Sequence, residues 1–367
     1  MRGLYDDAST IYYPSLPLSA APLQTISIPT TIDVIGEITI DGSNTIDNPG
    51  LKAGLVHLRD KILAVSPPDR VVLIQDSYFR EVISEIENTF IEKGLYCKVV
   101  ELPDGYDPEC LPKHARDCFL DPDYPVMVIG TMNNIWHTSE RKSAKYKLKK
   151  RLVNLIHPTV ESVPSLVSDP AQYADNGKFL FSRIRSGKKW RITAPGGTDL
   201  TGEFPECSRG FFIENGDYSK GGTGGDFPSG EVGFGPKNGS IKGTIAFDLK
   251  VQHIGLTTTP VKIDVDDDRI RVVTTNDASG RYGELIARVP VLSLISEVSF
   301  GINPLWSESS DPRSIVEEKN LGTAHFGHGG NTSYGNRTGP HFDAVIREPD
   351  LIIDDTLILS RGRTAIQ

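Results

Sequence analysis

Cysteine is scarce in this chain of 367 residues: Cys97, Cys110, Cys118 and Cys207 are the only four, and they show no C-x-x-C spacing. So few, so dispersed, they cannot staple a polypeptide of this length and are read as reduced thiols, which excludes a disulfide scaffold. Basic charge is also in deficit. The 39 Lys and Arg against 48 Asp and Glu leave a formal net charge of -9, a surface that repels a phosphate backbone and excludes nucleic acid as the default partner. Long apolar runs are missing too: nothing approaches the roughly 20 residues of a membrane helix. The opening segment MRGLYDDASTIYYP carries acid where a secretory leader carries base. The expectation is a cytoplasmic protein with no membrane contact, acting on a small molecule or a peptide. What is present is ordinary core material, 38% hydrophobic and 24% charged, in a length that suits two domains.

The character of the chain changes near residue 160. Before it, LKAGLVHLRDKILA (51 to 64) and FREVISEIENTFIEK (79 to 93) carry apolar residues at helical spacing, the second followed by Gly94 as a C-cap. The segments RVVLIQ (70 to 75), CKVVEL (97 to 102) and PVMVIGT (125 to 131) are short buried-strand candidates. Strand and helix alternating in this rhythm predict an α/β N-terminal domain, residues 1–160, with a mainly parallel sheet. Its first fifty residues read as an extended arm or an added strand pair. The basic run RKSAKYKLKKR (141 to 151) reads as the solvated face of a helix continuing into LVNLIH. Past residue 175, KFLFSRIRS, KKWRITAP, GTIAFDLKVQHIGL, VKIDV, RIRVVTT and GELIARVPV read as strands between Gly, Asn and Asp turns. They predict a β-rich, α+β C-terminal domain over residues 161–367. Asp264 to Asp268 (DVDDD) has Arg269 and Thr275 where a calcium loop needs Gly and Glu, so it reads as a hairpin turn. Trp190 and Trp306 are expected to pack in the core.

Chemistry-bearing residues concentrate late in the chain. His325, His328 and His341 fall within seventeen positions, and Asp343 follows the last of them. In an extended strand residues i and i+2 share a face, so His341-Phe342-Asp343 presents an imidazole beside a carboxylate. The preceding GTAHFGHGGNTSYGN reads as a glycine-rich loop that folds further imidazoles over the same spot. Imidazole and carboxylate together suit zinc, cobalt, manganese or ferrous iron. A glycine-rich stretch earlier on, residues 221 to 236, lacks the features of a phosphate loop and instead supplies Glu231 in the turn FPSGEV.

Taken in order, GTDLTGEF (197 to 204), FPSGEV (227 to 232), EVSFGINP (297 to 304), GTAHFGHGGN (322 to 331), HFDAVI (341 to 346) and LIIDDTLILSRG (351 to 362) resemble the successive motifs of the aminopeptidase T type metallo-aminopeptidases. They also resemble those of the related 2,5-dihydroxypyridine 5,6-dioxygenases. The resemblance covers roughly residues 65 to 362 and lies in the order and spacing of the motifs. In the aminopeptidases the matching positions hold a pair of divalent metals, which implies Glu231, Glu297, His325, His341 and Asp343 as ligands here. In the dioxygenases a single ferrous ion is held by the H-x-D pair and a His where this chain has Glu297.

Two positions depart from the aminopeptidase pattern. Asn320 stands where those enzymes carry a catalytic Glu, and Thr332 where they carry a metal-binding Tyr. Glu317, Glu318 and Tyr334 are close enough to substitute if the loop is rearranged, with Glu318 as the general base. The expectation is a metal-dependent hydrolase in which zinc, cobalt or manganese activates water against a peptide or small amide, working as a homodimer. The alternatives are a ring-cleaving dioxygenase with Fe(II) on His341, Asp343 and either His325 or Glu297, and an inactive scaffold on the same fold.

Overall fold

The computed structural model describes residues 49–107, 110–132, 135–136, 138–156, 163–207, 210–272, 276–331 and 340–365. Three sheets organise them. The first is the α/β unit. Five parallel strands run in the order Tyr96–Glu101, Arg70–Gln75, Val126–Gly130, Arg151–Leu155, Gly224–Phe227. The central ones read as continuous apolar runs because helices cover both faces. The helix Arg80–Ile91 buries Ile83, Ile86 and Phe90, a spacing of three and four that sets one stripe against the sheet. Gly94 then ends it at φ +83°, its N–H donating to Ile91 O. The fifth strand comes from far down the chain and pairs with Leu152–Leu155, so the site-bearing half of the sequence completes the first sheet.

The remaining two sheets are antiparallel. One has eight strands, with Lys189–Ala194, Thr198–Glu203 and Lys242–Phe247 at its centre. The other has seven, with Glu231–Phe234, Ile295–Gly301, Thr323–Gly329 and His341–Arg347 as consecutive neighbours. Alternation along each strand turns one face of both sheets into a shared core, where Trp190, Ile192 and Phe247 meet Val298, Phe300, Phe326, Phe342 and Ala344. DVDDD is the expected hairpin turn, with Asp267 and Asp268 at positive φ between the strands Val261–Asp266 and Arg269–Val272.

Several local expectations are corrected. KFLFSRIRS is not a strand but most of the helix Ala174–Ser186; its buried residues Gly177, Leu180 and Ile184 keep helical spacing, and the half-buried Phe179 and Phe181 created a false alternation. GELIARVPV likewise lies largely in the helix Asp277–Arg288, started by the Asn276 side chain accepting from Ser279 N–H. The basic run ends its helical turns at Lys147, and RLVNL is the fourth parallel strand rather than more helix. GTAHFGHGG is a central strand, not a loop, because the apolar side chains between its glycines fill the shared core. Trp190 is buried in that core, whereas Trp306 is 46% exposed. Residues 1–48 and Thr275 lie outside the described residues. No helix among those described is long and apolar enough to cross a membrane.

Candidate metal centre

The strand pattern that builds the core also builds the site, on the opposite face of the seven-stranded sheet. Glu297, Gly327 and Asp343 stand in one row across three adjacent strands, and Ser299, His325 and Val345 in the next. Glu231 lies one strand further, opposite Gly301. The apolar residues between them, Val298, Phe326 and Phe342, all point the other way into the core.

Two glycines make this face usable. A Cβ on Gly327 would sit 2.6 Å from His341 Cε1 and 2.7 Å from Glu297 Cβ, so only a residue without a side chain lets the His341 ring lie across the row. A Cβ on Gly301 would sit 2.2 Å from Asn320 O and 2.7 Å from Glu318 O. Its absence admits the short turn Val316–Lys319, which delivers Glu318 and Lys319 onto the face.

The geometry is that of a buried ionic cluster. His341 Nε2 is 3.3 Å from Asp343 Oδ1, and His325 Nε2 is 3.4 Å from Glu231 Oε2 and 3.5 Å from Glu297 Oε1. Ligand atoms of Glu318, His325 and Asp343 lie within 4.8 Å of one another, as do those of Glu231, Glu297 and His325. His341 Nδ1 donates to Gly330 O at 2.9 Å, which orients the ring with Nε2 toward Asp343. Glu297 is held at both oxygens, by Ser299 Oγ at 2.9 Å and Asn331 Nδ2 at 2.6 Å.

Lys319, invisible to motif reading, is the largest surprise. Its ammonium is buried 2.7 Å from Glu231 Oε1, 2.9 Å from Asp226 Oδ2 and 3.0 Å from Glu318 Oε1. Asp226 and Glu214 extend the acidic network: Glu214 Oε2 accepts from Asp226 N–H, and Asp226 Oδ1 accepts from Asn154 on the parallel sheet. Asp226 stands one residue before the FPSGEV motif, and Lys319 adjoins Glu318. A buried Lys next to a candidate acid carries no pattern of its own, so neither could be singled out from sequence.

Charge in this cluster is unbalanced. Asp226, Glu231, Glu297, Glu318 and Asp343 face a single ammonium. Burial pushes the Glu231 and Glu318 carboxyls up, to about 8 and about 7, against the pull of Lys319 and His325. Burial would lower the imidazoles, yet Glu318, Glu297 and Glu231 hold His325 up to about 10, and Asp343 beside His341 holds it up to about 9. Asp343 itself would rise through burial, but His341 and His325 keep it well below the usual carboxylate range. The cluster therefore demands positive charge, which protons or a metal cation can supply.

The donor set fits a metal. Among the described residues, four buried atoms of the cluster make no hydrogen bond: Glu231 Oε2, Glu318 Oε2, His325 Nδ1 and Asp343 Oδ1. Orphaned buried polar atoms are costly and call for a partner. Six residues expected at the site from sequence, Glu231, Glu297, Glu318, His325, His341 and Asp343, thus converge. Tyr334 and Thr332 lie outside the described residues. Asn320 does not serve the site: its amide is spent on both backbone groups of Ser307, accepting at 2.9 Å and donating at 2.6 Å. Glu317 faces away and pairs with the buried Lys250 at 2.9 Å. His328, one of the imidazoles expected over the site, lies on the core face, stacked on Phe342 with ring centroids 4.2 Å apart and bonded to Tyr282 Oη at 2.8 Å.

Comparison with known proteins identifies a family. The sequence model of the 2,5-dihydroxypyridine 5,6-dioxygenase family, NicX, matches residues 125–366. The chain belongs to that family. Its fold is similar to that of 2,5-dihydroxypyridine dioxygenase from Pseudomonas putida, at a TM-score of 0.71 and 15% identity over 86% of this chain and 97% of that one. It is also similar to AmpT from Thermus thermophilus, at a TM-score of 0.54 and 12% identity over 86% and 99%. At these identities the two likenesses show a shared fold. No curated protein sequence matches the chain.

Proposed function

We propose that this protein is a dioxygenase that opens a hydroxylated aromatic ring at a single ferrous ion. The observation that carries the reading is that Asp343 has two imidazoles beside it on one sheet face: ligand atoms of His325 and Asp343 lie within 4.8 Å of each other, and His341 Nε2 is 3.3 Å from Asp343 Oδ1. Two His and one carboxylate form the facial set that suits non-haem Fe(II) and leaves positions open for two further ligands. Ferrous iron, when bound, would supply a redox-active centre through which electrons pass from an electron-rich ring to dioxygen.

The chain's own groups have separate tasks. His341 is oriented by Gly330 O, and Glu297 is immobilised by Ser299 and Asn331. Glu318 keeps Oε2 free while Lys319 holds Oε1, and its carboxyl titrates at about 7 under burial offset by Lys319. Such a group exchanges a proton with a ring hydroxyl at neutral pH. The hydrolytic reading uses the same Glu318 as base toward water, and what favours it is the nearness of Glu231 and Glu297 to His325.

The test is anaerobic purification and elemental analysis, followed by dioxygen uptake with 2,5-dihydroxypyridine and related dihydroxylated rings. One iron per chain, lost in His341→Ala and in Asp343→Ala with the fold retained, is expected. Unchanged metal content in both variants refutes the site, and two zinc or cobalt equivalents with turnover of aminoacyl amides refutes the oxidative reading.

A further inference from the structure

Two cation positions adjoin on this face. One is bounded by His325 and Asp343, with His341 Nε2 3.3 Å from Asp343 Oδ1. The other is bounded by Asp226, Glu231 and Glu318, which come from the strand Gly224–Phe227, the strand Glu231–Phe234 and the turn Val316–Lys319. Glu231 lies between them, with Oε1 on Lys319 and Oε2 3.4 Å from His325 Nε2. The second position is filled from within the chain: Lys319 Nζ has three carboxylate oxygens at 2.7, 2.9 and 3.0 Å, one for each of its protons.

We propose that Lys319 is a tethered substitute for a second divalent cation, and that it makes this centre take one ion. The inference rests on the metal reading above. Two-metal sites hold their ions roughly 3.5–4 Å apart and bridge them with carboxylates. Here each carboxylate that a second ion would share already has an oxygen on an ammonium that cannot leave. Expelling it would strand a desolvated charge with no water in reach, and adding a dication beside it would set like charges together in a buried site. Of the carboxylates that the two-metal expectation assigned to the ions, Glu231 has one oxygen, Oε1, on Lys319, and Glu297 binds Ser299 and Asn331 through both of its oxygens.

The full-length chain is titrated with Co²⁺ under anaerobic conditions, and stoichiometry is read by equilibrium dialysis with elemental analysis and by the cobalt absorbance. The wild type is expected to bind one equivalent. Lys319→Met, which keeps length and removes charge, is expected to bind two. Asp226→Asn, which removes one of the three carboxylates around Lys319, is expected to keep one equivalent with an affinity within about tenfold. Two equivalents in the wild type overturn the proposal, as does a folded Lys319→Met that still binds one. Should Lys319→Met not fold, Asp226→Asn decides: an affinity loss beyond tenfold makes Asp226 an ion ligand and overturns the assignment. An ion that survives His341→Ala overturns the ligand set of the preceding section, while the count of one or two still judges Lys319. Binding of no ion overturns both.

Discussion

Gly327→Ala isolates the geometry of the site from its chemistry, since it alters no donor. The added Cβ would meet His341 Cε1 at 2.6 Å, Glu297 Cβ at 2.7 Å and His341 Nε2 at 2.9 Å, distances that real side chains do not tolerate. Neither neighbour can yield freely. The Glu297 carboxylate is held at both oxygens and the His341 ring through Nδ1, so the ring must rotate and carry Nε2 away from Asp343. Overpacking of this kind costs about 1–3 kcal/mol. Misorienting a metal-ligating imidazole typically costs about 10- to 100-fold in affinity. At an ion concentration of 100 times the wild-type Kd, binding stabilises the fold by about 2.7 kcal/mol; a 100-fold loss reduces that to about 0.4 kcal/mol. The assay is chemical denaturation of both proteins with and without Co²⁺. The variant is expected to lose a few kcal/mol in the apo form and nearly all of its metal-dependent stabilisation. An apo stability equal to wild type together with full metal stabilisation would refute the steric reasoning.

Two further outcomes follow from buried groups outside the metal cluster. His328 is enclosed with Nδ1 donating to Phe326 O and Nε2 accepting from Tyr282, and burial pushes it down to about 3. It is therefore neutral when folded and protonates near 6.5 when unfolded, so the unfolded chain holds the extra proton between about pH 6.5 and 3 and stability falls as pH falls through that window. Its share is about 2 kcal/mol between pH 6.5 and 5. Urea midpoints for His328→Gln should show a shallower dependence on pH there than the wild type, and identical slopes would contradict this. Lys250 and Glu317 form a fully enclosed ion pair, with Ser309 N–H also on Glu317 Oε1. Lys250→Met leaves a buried carboxylate unpaired and should cost about 3–5 kcal/mol, most of it recovered on adding Glu317→Gln. A double variant no more stable than the single one would show that pairing is not what matters.

Sequence by itself settled what depends on local order. The parallel strands and the helix Arg80–Ile91 follow from apolar runs and a three-and-four spacing. The H-x-D pair follows from the two-residue repeat of a strand, and the order of the motifs carried the family. The alternating GTAHFGHGG shows where local reading stops: flexible glycines suggested a loop, yet the core pairing of Phe326 with its neighbours draws the segment into a sheet and sends His325 and His328 to opposite faces. Which of the two imidazoles meets the carboxylates was decided only by that register. The same holds for Lys319, Asp226 and Glu214. No spacing along the chain marks them, because their meaning comes from charges brought together across two sheets and a turn, in a place from which water is shut out and every unpaired charge is expensive.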